Sequence, residues 1–326
     1  MRQVVTLQVS VAEDGVRLDR WFKRHWPHLN HIQINRLLRS GQIRVDGGRA
    51  KADTRLGAGS QVRVPPLPDP GAPQAREELS ARDIILAHSL VIYEDADVLA
   101  LNKPSGLAVQ GGTKTTRHVD RLLSAWGEGQ GRPRLVHRLD RDTSGVLLLG
   151  KTPSAAAKLS AAFAKRRVDK TYWAIVAGVP NPAEGLIDMP LAKIGIGDRE
   201  LVRPVEADDP RAEEAQSAYV TIASAGPTAA WLALSPHTGR THQLRAHMTA
   251  IGHPILGDPK YADEASVALS GELKLQLHAR RLSLPHPAGG RLVVEAPASP
   301  ELLEGFRRFG FDEQEAADEP FARRVL

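Results

Sequence analysis

Apolar residues in the first 66 positions follow two different spacings. They recur every three or four positions over residues 18–26 and again over residues 32–38, which predicts two short helices, the second ending at Gly41. Residues 43–46 and 62–64 instead alternate between apolar and polar, as strands do. We therefore expect a pair of helices packed on a small sheet, and we assign residues 1–66 to one domain.

Two aromatic side chains of the first helix, Trp21 and Trp26, have flat faces on which a base could stack. They share the helical spacing of Leu18 and Phe22, however, and such a stripe more often faces a core. We therefore assign both tryptophans to packing and leave them out of any site.

Proline becomes frequent after this domain, while large apolar residues become scarce. Residues 67–82 contain too few bulky side chains to build a core, and their prolines stiffen the backbone. We interpret this segment as a linker. A linker of this kind tethers the first domain to the next and raises its effective concentration there.

From residue 83 onward, short apolar segments recur between turn signals, which predicts many strands. They lie at residues 98–101, 146–149, 172–176, 219–222 and 231–234. Helical spacing intervenes at residues 119–126 and 155–165, so the predicted class is α+β with a large mixed sheet. We assign residues 83–310 to this domain and residues 311–326 to a charged, frayed tail.

Composition limits the function classes further. The chain has 326 residues, 42% of them hydrophobic, and no run of about 18 apolar residues that could cross a membrane. Its first residues lack the pattern of a secretory signal, so we expect a cytoplasmic protein without membrane contact. Zero cysteines exclude disulfides, thiolate metal sites and cysteine nucleophiles.

Charge is distributed unevenly between the two predicted domains. Residues 1–66 hold 12 Lys and Arg against 5 Asp and Glu, a net +7, which leaves −2 on the remainder. A basic module beside a nearly neutral body indicates a polyanion-binding unit, although an ordinary soluble surface is the alternative. The cations that could follow a phosphate backbone are Arg17, Arg20, Lys23, Arg36, Arg39, Arg44, Arg49 and Lys51.

The chemistry-bearing segment is LVHRLDRDTSGVLLLGK, residues 135–151. It places one carboxylate, Asp140, between Arg138 and Arg141, just before the apolar run of residues 146–149. A buried strand supports a preceding turn rigidly, and the turn can then project polar side chains into a cleft. From charge pattern alone, an ordinary loop ion pair is the alternative.

This segment resembles the signature of RluA-type RNA pseudouridine synthases. The pattern is His-Arg-Leu-Asp, two variable residues, Thr/Ser-Ser/Thr-Gly and an apolar strand, and it is matched here at about ten specified positions. The resemblance implies an isomerase that converts uridine in RNA to pseudouridine. It also implies that Asp140 is the catalytic residue and that Arg138 fills the gap left by the extruded base.

Three further segments resemble the same family, in its chain order. They are LNKPSG at residues 101–106, KTY at 170–172, and TGRTHQLR at 238–245 followed by HPILGD at 253–258. The resemblance makes Tyr172 the active-site aromatic and Arg245 the cation that pairs with the catalytic aspartate. Lys103 and Arg240 are added as candidate RNA contacts. Without the family resemblance, Tyr172 could equally be a tyrosine buried in a strand.

Residues 15–64 resemble the alpha-L RNA-binding domain, found in a small-subunit ribosomal protein and in tyrosyl-tRNA synthetases. The most typical piece is LLRSGQIRVDGGRAKADTRLGAGSQVRV, in which the helix end, hairpin and second glycine turn arrive in the family order. The predicted architecture is therefore a small alpha-L domain ahead of a mixed-sheet synthase domain.

No cofactor or metal is expected. His237, His242 and His247 are five residues apart, which separates them on either a strand or a helix, so a shared ligand site is disfavoured. The glycines at 111–112 lack the lysine of a phosphate-binding loop, and no dinucleotide fingerprint is present. Structural or RNA-contacting histidines are the preferred interpretation.

The substrate is expected to be large-subunit (23S) ribosomal RNA, because an alpha-L module before an RluA-type body is typical of the enzymes that modify it. The strings HRLDRDTSGVLL and LNKPSGLAVQGG resemble the C-type branch most. The string HPILGD is nearer to the wider family, which leaves the D-type branch open. A transfer-RNA synthase and a non-catalytic ribosome-assembly factor also stay open, and a monomer is the default expectation.

Overall fold

The chain divides into two compact units in a computed structural model, Met1–Glu78 and Leu79–Leu326. The structure describes residues 3–29, 31–67, 79–111, 115, 117–196, 199–316 and 320–321. Most of the predicted linker and the end of the predicted tail, residues 68–78, 317–319 and 322–326, lie outside the described residues.

The first unit is a four-stranded antiparallel sheet with two helices. Its strands run in the order β1-β4-β2-β3, and its elements are β1 (Val5–Gln8), α1 (Leu18–His25), α2 (His31–Arg39), β2 (Arg44–Val45), β3 (Gly48–Arg49) and β4 (Gln61–Val64). Both helices and the strands at residues 44–45 and 61–64 agree with the apolar spacing. β1 was not predicted from the sequence.

The core of the first unit confirms the assignment of its tryptophans to packing. Trp21 is fully buried with Leu18 and Phe22, and Trp26 packs against the same cluster. Leu67 is also buried in this cluster. The predicted domain boundary at residue 66 was therefore one residue early, because the Leu67 side chain belongs to this core.

The second unit is built on a ten-stranded mixed sheet with helices on both faces. In chain order, the strands of this unit begin with β5 (Val91–Glu94), β6 (Val98–Lys103), β7 (Arg134–Leu135), β8 (Ser144–Gly150), β9 (Asp169–Ala177), β10 (Glu184–Asp188), β11 (Leu191–Ile196) and β12 (Arg199–Pro204). The remaining strands are β13 (Gln216–Ala225), β14 (Ala229–Pro236), β15 (Leu277–Pro285) and β16 (Arg291–Glu295). Its helices are α3 (Ala81–Ser89), α4 (Val119–Leu122), α5 (Pro153–Ala164), α6 (Gln243–Ala250), α7 (Glu264–Ser270) and α8 (Pro300–Phe309).

The sheet order places β8, β15 and β9 side by side at its centre. The full order is β10-β13-β14-β9-β15-β8-β6-β5, with β16 beside β15 and β7 beside β8. β8 and β15 run parallel, whereas β15 and β9 run antiparallel. The sheet is therefore mixed, and the α+β class predicted from the sequence is confirmed. β11 and β12 form a separate hairpin.

β8 is buried along its whole length because both of its faces are covered. Leu147 and Leu149 pack with α4 on one face, while Val146 and Leu148 pack with Leu159 of α5 on the other. A strand covered on both faces has an uninterrupted apolar sequence. This explains why the run at residues 146–149 follows the polar turn so abruptly, and it gives that turn a rigid support.

The outer boundaries of the second unit differ from the predicted ones. α3 begins at Ala81, where the Ser80 hydroxyl accepts a hydrogen bond from the amide of Asp83. Residues 79–82 thus belong to this unit and not to a linker. At the other end, Phe311 is buried against Phe306 and Trp231, so the expectation of a frayed segment from residue 311 was wrong at its start.

Candidate active site

One large cleft opens beside the centre of the sheet in the second unit. Its volume is about 870 Å³, and its lining brings together residues that are far apart in sequence. Asp140, Tyr172 and Arg245, the three predicted catalytic residues, all line it. Other polar side chains in its wall are His137, Arg138, Arg141, Arg166, Lys170, His237, Arg240 and His242.

Asp140 lies in the turn that leads into β8, with about a third of its side chain exposed to the cleft. The amide of Thr143 donates a hydrogen bond to the Asp140 carbonyl and closes the turn. Gly145 follows at a φ of 109°, directly against the backbone of Ala279 in β15, where no Cβ would fit. The glycine of the motif thus lets β8 approach β15 just behind the carboxylate.

His137 anchors the other side of this turn. Its Nε2 accepts a hydrogen bond of 2.8 Å from the amide of Leu148 in β8, and its ring stacks on Phe163 of α5 at 4.4 Å. Burial lowers the pKa of His137 to about 3, so the imidazole stays neutral and accepts. This histidine therefore holds the motif on the sheet.

Arg245 approaches Asp140 from the first turn of α6. Its Nη1 is 3.8 Å from Oδ2 of Asp140, in agreement with the predicted pairing. Its two direct hydrogen bonds, however, go from Nε and Nη2 to the carboxylate of Asp258, each at 2.7 Å. The guanidinium is therefore held by Asp258 and presented to Asp140.

The sequence analysis missed the role of Asp258, although its motif was noted. This carboxylate has no exposed side-chain surface and also accepts from the amides of Lys260 and Tyr261. Gly257 precedes it at a φ of 69°, packed against the backbone of residues 273–274. The ring of Tyr261 lies beneath Arg245, 5.0 Å from its guanidinium carbon. The sequence signal that could have indicated this residue is the pair Gly257-Asp258 directly after an apolar run.

Tyr172 lies on β9, opposite Ala279 of β15, on the side of the sheet that faces the cleft. Burial raises the pKa of its phenol, and the nearby charge of Asp140 raises it further. The hydroxyl is therefore protonated at neutral pH. The cleft thus contains an aromatic face and a phenol beside a carboxylate.

Among the predicted RNA contacts, Arg138 and Arg240 also line the cleft. Arg138 is exposed, whereas Arg240 donates from Nη1 to Glu213 at 2.7 Å and from Nε to the carbonyl of Glu214. A cation that the sequence analysis did not single out, Lys170, donates to the carbonyl of Thr238 at 3.0 Å. Burial, aided by Arg166, lowers the pKa of Lys170 to about 8.

Lys103 was predicted to contact RNA, and the structure contradicts this. Its side chain is fully buried, and its Nζ donates to the carbonyls of Pro104, Leu107 and Arg141, each at 2.9 Å. An ammonium group with all three hydrogens given to backbone carbonyls has no donor left for a phosphate. Lys103 instead joins the turn after β6 to the turn that contains Asp140.

The predicted cations of the first unit fall into two groups. Arg17 donates two hydrogen bonds to the carboxylate of Asp19, so its charge is already neutralised by a neighbour. This pairing argues against Arg17 as an RNA contact. The other seven are exposed, namely Arg20, Lys23, Arg36, Arg39, Arg44, Arg49 and Lys51.

The three histidines spaced by five residues face different partners. His247 is buried, with Nδ1 at Ser217 and Nε2 at the Met189 carbonyl, both at 3.0 Å. Nδ1 of His237 contacts Gln216, and Nδ1 of His242 contacts Tyr261. Within the described part of the chain, no group of three or more His, Cys, Asp or Glu could hold a metal ion.

Among the described helices, none combines the length and the apolar composition that a membrane span requires.

The mixed sheet and its cleft belong to a chain whose comparisons show the class of protein, an enzyme that isomerises uridine in RNA to pseudouridine. The RNA pseudouridylate synthase family model matches residues 97–250. Together with the relatives described next, this match shows that the chain belongs to the RluA-type RNA pseudouridine synthase family.

Relatives and solved structures give the particular likeness. The chain is 34% identical to ribosomal large subunit pseudouridine synthase C of Vibrio vulnificus, over 92% of this chain and 94% of that protein. It is 33% identical to the protein of that name from Escherichia coli, over 94% and 95%. The human RNA pseudouridylate synthase domain containing 4 structure matches with a TM-score of 0.60 and 27% identity, over 72% of this chain and 99% of that one.

Proposed function

We propose that this protein isomerises specific uridines in large-subunit (23S) ribosomal RNA, with Asp140 as its catalytic carboxylate. The observation that carries the proposal is the grouping of Asp140, Tyr172 and Arg245 in one cleft, with Arg245 Nη1 3.8 Å from Asp140. The choice of ribosomal RNA rests on the relatives named large subunit pseudouridine synthase C, which match over more than nine-tenths of the chain.

The reaction requires a group that stabilises or attacks an electron-poor sugar carbon. The bond between C1′ and N1 of uridine breaks, the ring turns, C5 bonds to C1′, the proton on C5 is lost and N1 takes up a proton. No oxidant, reductant or energy source is consumed. Asp140 can attack C1′, stabilise its developing positive charge or remove a neighbouring sugar proton.

The surroundings of Asp140 support each of these roles equally. Arg245 provides a positive charge beside the carboxylate, and its own hydrogen bonds to Asp258 keep it from moving. Tyr172 provides an aromatic face for the base, and its protonated hydroxyl can take part in moving the proton of C5. Burial of Arg245 and Asp258 beside the cleft strengthens the electrostatic effect of the guanidinium.

A uridine in folded RNA must leave its stack to reach Asp140, at a cost of a few kcal/mol. Arg138 is the proposed residue that fills the gap, since its planar cation is exposed at the cleft two residues before Asp140. Arg138→Ala is expected to weaken productive binding of structured RNA more than of an unstructured oligomer. Equal losses on both substrates would contradict this role.

The first unit is proposed to be the alpha-L RNA-binding domain that brings ribosomal RNA to the cleft. Seven exposed cations on a unit of high positive charge support this assignment. The same proposal makes the first unit a separate RNA-binding module. It also includes a cytoplasmic location and a monomeric state.

Pseudouridine mapping of total RNA tests the proposal directly. A strain that lacks the protein is complemented with the wild type, with Asp140→Asn or with the control Asp142→Asn, a half-exposed carboxylate in the same turn. We expect specific 23S sites to disappear in the deletion and to return with the wild type and the control only. Restoration by Asp140→Asn would refute the catalytic role. Loss of transfer-RNA sites instead would change the substrate, and no change in any site would favour a binding factor.

A further inference from the structure

His242 lies between the two elements that surround Asp140, and no role in the reaction has been given to it so far. It occupies the residue before α6 in a left-handed conformation, at a φ of 53° and a ψ of 20°. Its Nδ1 is 2.9 Å from the hydroxyl of Tyr261, and its Nε2 is 3.9 Å from Oδ2 of Asp140. The two ring nitrogens therefore face a neutral phenol and a carboxylate.

The hydrogen bonds around Tyr261 decide which ring nitrogen carries the proton. The amide of Val202 in β12 donates to the Tyr261 oxygen at 3.0 Å, so that oxygen already has an N–H donor. Its own hydrogen is then available to Nδ1 of His242, and the Tyr261 hydroxyl both donates and accepts when that nitrogen is the acceptor. The neutral imidazole therefore carries its hydrogen on Nε2, directed at Asp140.

The opposite tautomer is disfavoured at both ends of the ring. A hydrogen on Nδ1 would give the Tyr261 oxygen a second N–H donor and deprive its hydroxyl of this acceptor. It would also turn the lone pair of Nε2 toward the negative charge of Asp140. Burial lowers the pKa of His242 and favours the neutral ring. Asp140 and Asp258 oppose this shift, while Arg245 and Lys260 act in its direction.

Arg245 and His242 approach the same oxygen of the carboxylate. The shortest contact of Arg245 Nη1 with Asp140 is to Oδ2, at 3.8 Å, and that of His242 Nε2 is also to Oδ2, at 3.9 Å. The two carboxylate oxygens are therefore not equivalent, because both nitrogens approach Oδ2. The other oxygen, Oδ1, is then the one free to meet the sugar.

We propose that His242, as its Nε2–H tautomer, is a positioning residue that acts with Arg245 on Oδ2 of Asp140 and makes Oδ1 the reacting oxygen. This inference rests on the proposed catalytic role of Asp140. Both distances exceed those of hydrogen bonds, so the inference requires that the two contacts shorten in the complex with RNA.

The arrangement is built into the packing of the second unit. Tyr261 and Val202 are buried in one cluster with Leu191 and Ala246 of α6, so the β11–β12 hairpin fixes the phenol from outside the cleft. The rings of Tyr261 and His242 meet edge to face, with centroids 5.6 Å apart. The imidazole is thus oriented by packing before any substrate binds.

Two amide variants of His242 separate the two ring nitrogens. His242→Gln extends an amide N–H about as far as Nε2 and can still reach Asp140, whereas the shorter His242→Asn reaches only about as far as Nδ1. Single-turnover rates on a 23S fragment are expected to fall about 10- to 100-fold for His242→Asn and His242→Ala, with substrate affinity within about threefold of the wild type. His242→Gln is expected to retain at least about a third of the rate.

Three results would overturn the inference. They are equal rates for the Gln and Asn variants, unchanged rates for all three variants, and a loss confined to substrate affinity. Asp140→Asn, measured in parallel, separates this failure from that of the proposed function. Activity in Asp140→Asn would refute the proposed catalytic role of Asp140, whereas an inactive Asp140→Asn with fully active His242 variants would refute only the positioning role.

A spectroscopic measurement tests the tautomer in the wild-type protein. In the full-length protein labelled with ¹⁵N-histidine, the ring of His242, assigned by its absence from His242→Gln, is expected to carry its proton on Nε2. Tyr261→Phe, which keeps the ring but removes the hydroxyl, is expected to give a mixture of the two tautomers. A wild-type proton on Nδ1 would contradict the inference, and so would a spectrum unchanged in Tyr261→Phe.

Discussion

Asp258, buried behind Arg245, is held by more hydrogen bonds than Asp140, which lines the cleft. It accepts four hydrogen bonds while fully buried, two of them from Arg245 and two from the amides that follow it. A buried ion pair contributes little net stability, but loss of one partner leaves the other charge unpaired in a medium of low dielectric. Asp258 therefore has two effects, since it stabilises this part of the fold and it aims Arg245 at Asp140.

Asp258→Ala is expected to destabilise the protein by about 3–5 kcal/mol, because the guanidinium of Arg245 would stay buried without its partner. The matched control is Asp263→Ala. Asp263 caps α7 from an exposed position, and its loss is expected to cost about 1 kcal/mol. Urea unfolding of both variants measures the difference. Similar losses of unfolding free energy for the two variants would mean that the buried ion pair stabilises the fold no more than an exposed helix cap does.

His137 gives the site a predictable sensitivity to acid. Its pKa is about 3 in the folded protein and near 6.5 when unfolded, so the unfolded chain binds more protons between these values. Stability from this residue is complete above pH 6.5 and is lost as the pH falls toward 3. A drop from pH 7 to pH 5 is expected to remove about 2 kcal/mol through His137 alone.

The comparison of wild type with His137→Gln isolates this contribution, because glutamine keeps an acceptor for the amide of Leu148 but does not titrate. Urea unfolding at pH 7 and pH 5 is expected to show a smaller loss in the variant. His278, whose pKa burial lowers to about 4, accounts for part of the remaining dependence. Parallel losses in the two proteins would show that His137 is not the titrating group.

At the scale of elements, the sequence predicted those with a single strong spacing. β8, with both faces covered, has an unbroken apolar run, and α1 has a clear apolar stripe. α6 escaped prediction because Gln243, Arg245 and His247 are buried on it and satisfied by hydrogen bonds. Polarity then no longer marks the exposed face of a helix.

The site residues likewise include some that the sequence predicted and others that it did not. Asp140, Tyr172 and Arg245 came from motif resemblance, and the structure brings them into one cleft. Lys103 was misassigned because sequence cannot distinguish a lysine that faces solvent from one whose ammonium group is enclosed by three carbonyls. Such a cage depends on turns that are far apart in sequence. For the same reason, the sequence showed Asp258 within its motif but did not indicate that Asp258 pairs with Arg245.

Lys103→Met tests the hydrogen bonds by which Lys103 links the turn after β6 to the turn before β8. We expect a loss of more than about 2 kcal/mol in unfolding free energy, because three buried carbonyls lose their donor. Catalysis is expected to fall with it, since the turn of Asp140 loosens. The dependence of RNA affinity on salt is expected to stay unchanged, because the buried Nζ meets no phosphate.

Lys274→Met is the control for this experiment, since Lys274 is about three-quarters exposed and is expected to show no loss of stability. Unfolding curves and RNA binding between 50 and about 200 mM salt are the two measurements. A salt slope that fell in Lys103→Met by the amount of one phosphate contact would restore Lys103 to the RNA-binding residues.

For the whole molecule, the separation of charge between the two units predicts a separation of affinity from catalysis. The first unit concentrates the excess of positive charge, and α2 contributes two exposed arginines, Arg36 and Arg39, on one helix. Their spacing of three residues puts both on the same face, about as far apart as side chains on neighbouring turns. A phosphate backbone that follows this face would meet both.

The double variant Arg36→Gln/Arg39→Gln is expected to weaken binding of a 23S fragment and to reduce the salt slope of log affinity by about 0.7–0.9 for each phosphate that no longer meets a cation. The single-turnover rate at saturating RNA is expected to stay near that of the wild type, because neither residue lies in the cleft. Arg307→Gln/Lys274→Gln removes two exposed cations from the second unit and serves as the charge-matched control. If both double variants lost affinity equally, net charge rather than a defined surface on the first unit would hold the RNA. A loss of saturated rate in the α2 variant would instead mean that the first unit takes part in the catalytic step.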